Sequence, residues 1–203
     1  MMNDFEQNDS ESVVNLLVEL QRLKRLDRTG WTLRGLPNGT ESVAAHSFGV
    51  AVTVMLIADA LSKRGISLNL ERTLRMALVH DWSETRIGDM PRTAASYIGN
   101  DIRKRAEMAV FQDLVGSNGS ASLYGLLYSE YENRESPEAR LVKAADVIDL
   151  LVQVLALERA GARGLDEFWE VVSNDTIELE GEAKVIVRKI IDLLVAARPR
   201  PGT

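Results

Sequence analysis

In ESVAAHSFGVAVTVMLIADALSKRG, Glu41 to Gly65, the central run VAVTVMLIADAL is apolar on nearly every side of a helical wheel. This predicts a helix from near Ser42 to about Arg64, stopped by Gly65 and buried by its neighbours. Its most apolar part, Val50 to Leu61, is too short to span a bilayer and is interrupted by Asp59. His46 opens this helix, and the chain has only one other histidine, His80.

Helical signals extend outward from this run in both directions. Upstream, Ser12 to Leu26 places Val13, Leu16, Leu17, Leu20 and Leu23 on one stripe. Arg28 to Thr40, broken by Gly30, Gly35, Pro37, Asn38 and Gly39, reads as a loop. Downstream, Asn69 is the expected N-cap of a helix carrying Leu70, Leu74, Ala77, Leu78 and His80. Ile87 to Pro91 breaks the pattern, Asp101 to Val115 is a charged amphipathic helix, Gly116 to Ser120 a turn, and Leu123 to Tyr131 a shorter helix.

Ser136-Pro137-Glu138 combines a capping hydroxyl, a proline at the first helical position and an acid, so a helix starts there. It runs to about Ala160 and is ended by Gly161 and Gly164. Glu167 to Val172 and Glu182 to Ala197 are the last helical stretches, with an extended piece possible near Asp175 to Leu179 and a frayed tail from Arg198. The expected architecture is all-α: a single helical bundle over residues 1–203, with its core at about 12–160. The C-terminal helices, 165–197, would pack on that core or on a dimer partner.

The 203 residues suffice for one well-cored domain, and 45% hydrophobic with 27% charged residues is ordinary for a soluble protein. A net charge of -6 speaks against general binding of duplex nucleic acid, which needs a dense basic face. The absence of cysteine excludes disulfides, thiolate metal sites and a cysteine nucleophile. The acidic start MMNDFEQNDSES is unlike a signal peptide. A cytoplasmic protein without a membrane partner is expected.

Four residues sit in settings that do not suit their types. His46 opens the most apolar helix, His80-Asp81 closes TLRMALVHDW, and Asp146 lies within LVKAADVIDLL. A buried carboxylate is costly unless it is paired, hydrogen-bonded or bound to a cation. A divalent metal would offset that cost for Asp81 and Asp146, with neutral imidazoles supplying nitrogen. Adjacent helical residues point about 100° apart, so His80 and Asp81 can address one ion only at a helix end or bend. Gly88 and Pro91 put such an end nearby. Glu84 shares their face and could reach a metal-bound water. Taken singly, each histidine has an ordinary reading as a satisfied core residue, Asp146 as a partner of Lys143 or an arginine, and Glu84 as a surface acid.

The order H…HD…D resembles that of the HD superfamily. RTGWTLRG, ESVAAHSFGVA, LVHDWSETRIGDMP and LVKAADVIDLL are similar to segments of the HD-domain 5′-deoxynucleotidases. The resemblance runs from about Leu20 to Ala156 and includes HDxxE, GDxP and VKxxD. It implies a homodimeric hydrolase of nucleotide metabolism that removes the 5′-phosphate from deoxynucleoside monophosphates, using one divalent ion such as cobalt or manganese. The implied metal ligands are His46, His80, Asp81 and Asp146. The implied catalytic residues are Glu84 and Asp89, the latter contacting the sugar or organising water. The implied substrate-binding residues are Arg28 and Trp31, separated here by Thr29-Gly30 where the bacterial enzyme has the pair adjacent.

Arg34 competes with Arg28 for the phosphate, and Trp31 suits either substrate packing or a core cap over the loop. Lys143 would orient Asp146 or extend to solvent, and Asp149 reads as structural. Of the basic cluster Arg22, Lys24, Arg25 and Arg28, only Arg28 is a functional candidate. Ala45 stands where many relatives carry an acidic or polar residue. The rival readings are an HD phosphohydrolase for deoxynucleoside triphosphates, dinucleotides or alarmones, a non-catalytic metal- and nucleotide-binding regulatory module, and a structural helical adaptor.

Overall fold

A computed structural model describes residues 2–116, 118–172 and 177–199, and the side chains among them other than those of 2–8 and Ala95. In chain order its α-helices are α1 (Met2–Leu20), α2 (Thr29–Thr32), α3 (Val43–Ser62), α4 (Leu70–Val79), α5 (Glu84–Ile87), α6 (Arg92–Ile98), α7 (Asn100–Val115), α8 (Ala121–Asn133), α9 (Pro137–Arg159), α10 (Asp166–Trp169) and α11 (Gly181–Ala196). Short 3-10 turns follow α1 (Gln21–Lys24) and α10 (Glu170–Val172). Among the described residues there is no regular strand, only one isolated antiparallel bridge between Asp27 and Ser42. The all-α expectation is met.

The chain gathers into two compact units, Met1–Ala45 with Val79–Glu132 and His46–Leu78 with Asn133–Thr203. In the first, α5 packs on α7 and on the 3-10 turn after α1, and α6 packs on α7. Arg86 of α5 donates to both carboxylate oxygens of Glu19, at 2.6 and 2.9 Å, and also pairs with Asp113. Leu23, Trp31, Phe111, Leu127, Tyr128 and Tyr131 are buried there. Phe111 stacks on Tyr128 with ring centroids 4.1 Å apart, and Trp82 joins them at 6.2 Å from Phe111 and 5.3 Å from Tyr124. Such aromatic pairs add about 0.5–1.5 kcal/mol each beyond their buried area.

In the second unit α10 and α11 pack on α9. Its core takes Val50, Val54, Ile57 and Leu61 from α3, Met76 and Ala77 from α4, and Leu141, Ala145, Ile148 and Leu151 from α9. Each fully buried aliphatic side chain of this size contributes about 1.5–3 kcal/mol. The expected caps form. Asn69 Oδ1 accepts from the Arg72 N–H at 3.0 Å, and Ser136 Oγ accepts from the Ala139 N–H at 3.1 Å, ahead of Pro137. Each cap is worth about 1 kcal/mol.

Several expectations need correction. α1 starts at Met2 rather than Ser12, because its first turns are polar and carry no apolar stripe to read. Of the expected stripe only Leu16 and Leu23 are buried, while Val13 and Leu17 stay exposed. α2 lies inside the expected loop, and α6 forms at Arg92–Ile98, to which the sequence pattern assigned no element. α3 is buried on one face only: Phe48 is 69% and Leu56 60% exposed. It is 20 residues long, so by length and composition alone it is long and apolar enough to cross a membrane. α11 turns Ile186, Val187 and Ile191 inward and leaves Val185 and Leu193 exposed. Ile177 to Leu179 is irregular, while residues 175, 176 and 200–203 lie outside the described ones.

Candidate metal and catalytic site

α4 ends at Val79, so His80 and Asp81 leave it on a turn rather than on a helix face. The Trp82 N–H bonds to Val79 O at 3.1 Å and the Glu84 N–H to Asp81 O at 3.1 Å, after which the chain re-enters helix as α5. This is the helix end that the HD pair requires. Aromatic packing holds the turn in place. Trp82 enters the Phe111 cluster, Ser83 Oγ lies 3.2 Å from Tyr128 OH, and the buried His80 ring meets Tyr131 edge-on at 5.3 Å. Burial pushes the Tyr128 hydroxyl well up, so it stays protonated as a hydrogen-bonding group. His80 Nε2 faces Asp81 Oδ2 at 3.1 Å.

Gly88, at φ +78°, turns the chain after α5 so that Asp89 faces the loop of residues 28–40. Asp89 Oδ2 accepts the Thr29 N–H at 2.6 Å, and Thr29 Oγ1 donates to Asp89 O at 2.7 Å. Arg28 Nη1 is 3.6 Å from Asp81 Oδ2 and 3.6 Å from Asp89 Oδ1. Glu84 completes this group of charges. Its Oε2 is buried and, among the described residues, has no hydrogen-bond partner. Burial holds the Glu84 carboxyl well above the usual carboxylate range, the charges of Asp81 and Asp89 push the same way, and Arg28 opposes them.

The first unit thus brings together Arg28, His80, Asp81, Glu84 and Asp89. Arg34 takes a different direction, donating from Nη1 to Gly30 O at 3.2 Å. Trp31 is 2% exposed and donates Nε1–H to Glu41 Oε2 at 2.6 Å, which favours the core-cap reading over substrate packing.

In the second unit His46 is bracketed by two carboxylates one helical turn apart on α9. Nδ1 is 2.8 Å from Asp149 Oδ2, and Nε2 is 3.2 Å from Asp146 Oδ1. Lys143 Nζ donates to the other Asp146 oxygen at 2.7 Å. A carboxylate only accepts, so the neutral tautomer that satisfies the shorter contact carries its proton on Nδ1 and would turn its Nε2 lone pair to Asp146. Gly49, one turn after His46, makes this possible: a Cβ there would stand 1.9 Å from Asp149 Oδ1. Asp149, expected to be structural, therefore touches a candidate site residue. The readable signal was a matched spacing, His46 to Gly49 on α3 and Asp146 to Asp149 on α9.

Each histidine thus directs Nε2 at an aspartate oxygen, an arrangement of two electron-pair donors that calls for a cation or a proton. His80 and Asp81 in the first unit, and His46 in the second, are each donors of the kind that hold metal ions. Imidazole and carboxylate together suit manganese, cobalt, zinc and similar ions. The residues therefore fit a divalent metal.

The chain matches the family described as "HD domain" over residues 20–182. The chain is 33% identical to 5′-deoxynucleotidase hdd1 of Schizosaccharomyces pombe over 78% of its own length and 80% of that protein. It is 33% identical to human 5′-deoxynucleotidase HDDC2 over 76% of this chain and 72% of that one. Among solved structures, a conserved hypothetical protein from Pyrococcus furiosus superposes with a TM-score of 0.79 at 34% identity, over 90% of this chain and 99% of that one. The chain belongs to the HD-domain 5′-deoxynucleotidase family.

Proposed function

We propose that the protein is a metal-dependent phosphohydrolase that removes the 5′-phosphate from deoxynucleoside monophosphates, with His46, His80, Asp81 and Asp146 as the ligands of one divalent ion. The observation that carries this reading is the set of charges around Glu84. A buried carboxyl raised above its usual range, beside Arg28, Asp81 and Asp89, is a stronger base than an ordinary carboxylate and suits proton abstraction. Family membership supplies the reaction class, and the Schizosaccharomyces and human relatives carry the name 5′-deoxynucleotidase.

A divalent ion in such a site supplies Lewis-acid polarisation of a phosphate oxygen and lowers the pKa of water. Glu84 orients the attacking water and takes its proton, water oxygen bonds to phosphorus, the phosphorus–O5′ bond breaks, and the proton held by Glu84 returns through solvent to O5′, releasing nucleoside and inorganic phosphate. Arg28 meets the phosphate charge with a guanidinium fork and is favoured over Arg34, because it faces the same carboxylates. Asp89 holds the loop through Thr29 and, in this reading, meets the sugar or a water. Trp31 supports that loop from the core.

The two units act as one HD domain in this reading, consistent with a family match that takes in segments of both. The working form is a cytoplasmic homodimer. Exposed Phe48 and Leu56 on α3, with Val185 and Leu193 on α11, are apolar surface that a second copy would cover.

The test is phosphate release from a panel of deoxy and ribo 5′-mononucleotides by metal-stripped protein supplied with cobalt, manganese, magnesium or zinc. Metal-dependent release from deoxynucleoside monophosphates, lost in His80→Ala, is the expected result. Release only from triphosphates, dinucleotides or alarmones would move the substrate class. Metal binding without any release would leave a regulatory binding module.

A further inference from the structure

We infer that Asp149 is a positioning residue for metal binding, holding His46 in the one tautomer and orientation that presents Nε2, and that Gly49 is the gap that admits its carboxylate. The inference rests on His46 being a metal ligand. A neutral imidazole has a single proton, and whichever ring nitrogen holds it cannot ligate. At 2.8 Å, Asp149 Oδ2 draws that proton to Nδ1 and leaves Nε2 free of it. The same bond fixes the ring plane. The Nε2 edge then faces Asp146, whose other oxygen Lys143 holds at 2.7 Å. Partners of this kind raise ligand basicity and remove the rotational freedom that metal binding would otherwise have to restrict.

Gly49 supplies an observation independent of the hydrogen bond. Glycine in a helix interior is unfavourable relative to alanine. Here it has an assigned reason, because the atom nearest to a Cβ at this position would be Asp149 Oδ1 itself, at 1.9 Å, with the carboxyl carbon at 2.6 Å. Asp149 therefore occupies the volume of a missing side chain. A larger residue at 49 displaces the carboxylate from His46 without touching any proposed ligand.

The test uses the full chain, stripped of metal and titrated with manganese, with His46→Ala as the reference. Asp149→Ala should weaken manganese affinity by about 10–100-fold, and the isosteric Asp149→Asn by less. Because the chain has only two histidines, nitrogen NMR of the metal-stripped protein resolves the tautomer of His46 by comparison with His80→Ala. The ring should be protonated at Nδ1 in the wild type and a mixture of tautomers in Asp149→Ala.

Gly49→Ala should lose affinity like Asp149→Ala although Asp149 is still present. The double variant Gly49→Ala/Asp149→Ala should bind no worse than Asp149→Ala and melt higher than Gly49→Ala. Wild-type affinity in both Asp149 variants, with His46→Ala weakened, overturns the positioning role. Wild-type affinity in His46→Ala overturns the ligand assignment beneath it, a different result. Wild-type affinity in Gly49→Ala overturns the gap.

Discussion

Thr29 and Asp89, 60 residues apart, are joined by two hydrogen bonds, both donated by Thr29: its N–H to the Asp89 carboxylate at 2.6 Å, and its hydroxyl to the Asp89 carbonyl at 2.7 Å. The pair locks the loop bearing Arg28 to the turn after α5. Thr29→Val keeps the side-chain shape and removes the hydroxyl bond. It should lower the melting temperature by about 2–4 °C, the effect of about 1 kcal/mol in a chain of this size. Asp89→Ala also releases the Thr29 N–H and one partner of Arg28, so kcat/KM should fall by about 10²-fold through misplacement of the loop. Thermal melts and steady-state kinetics on deoxynucleoside monophosphates check both.

Arg28 is assigned to phosphate, not to metal. Arg28→Ala should reduce kcat/KM by about 10²–10³-fold. Its manganese affinity should not fall, because the substitution removes a cation 3.6 Å from Asp81. Arg28→Lys should recover little, since an ammonium cannot reproduce the planar fork. Loss of manganese binding in Arg28→Ala would contradict this division of labour.

Glu84→Gln separates catalysis from stability. Turnover should drop by about 10²–10⁴-fold with manganese still bound. In the metal-free protein the carboxyl is raised above its ordinary value of 4.5. Between 4.5 and that higher value the folded chain keeps a proton that the unfolded chain has released, so stability falls as pH rises through this window. The penalty is absent below 4.5 and complete above the folded value. Metal-free Glu84→Gln should therefore match the wild type in acid and exceed it in stability at higher pH, as measured by denaturant melts across pH.

Removing the metal should loosen the protein measurably. An ion at about 100 times its dissociation constant adds about 2.7 kcal/mol to stability, equivalent to about 5–10 °C in melting temperature for a chain of this length. Chelation should remove that increment and manganese restore it. In His80→Ala the two melting temperatures should coincide.

The readable parts of the fold were those where one side chain satisfies a known backbone need. Asn69 and Ser136-Pro137 announced α4 and α9 because helix starts leave N–H groups that such residues accept from. His80-Asp81 at a helix end followed from the breakers downstream. What escaped reading depended on partners remote in sequence. The three-residue spacing of Asp149 from Asp146 repeats that of Gly49 from His46, but only the approach of Asp149 to His46 and Gly49 gives that match a meaning. Trp82 likewise gave no signal of its own, since its part in holding the turn depends on Phe111 and Tyr124. The apolar circumference of α3 implied full burial, yet apolarity does not specify whether this chain or another covers a face, and Phe48 and Leu56 remain exposed.

Gly49 also orders the routes by which sequences of this kind can diverge. With an aspartate at 149, a methyl group at 49 meets its carboxylate directly. Enlarging residue 49 and shortening residue 149 both take the partner from His46, but only the first also forces a clash. A larger side chain at 49 is therefore compatible only with a shorter one at 149, whereas glycine at 49 accepts either.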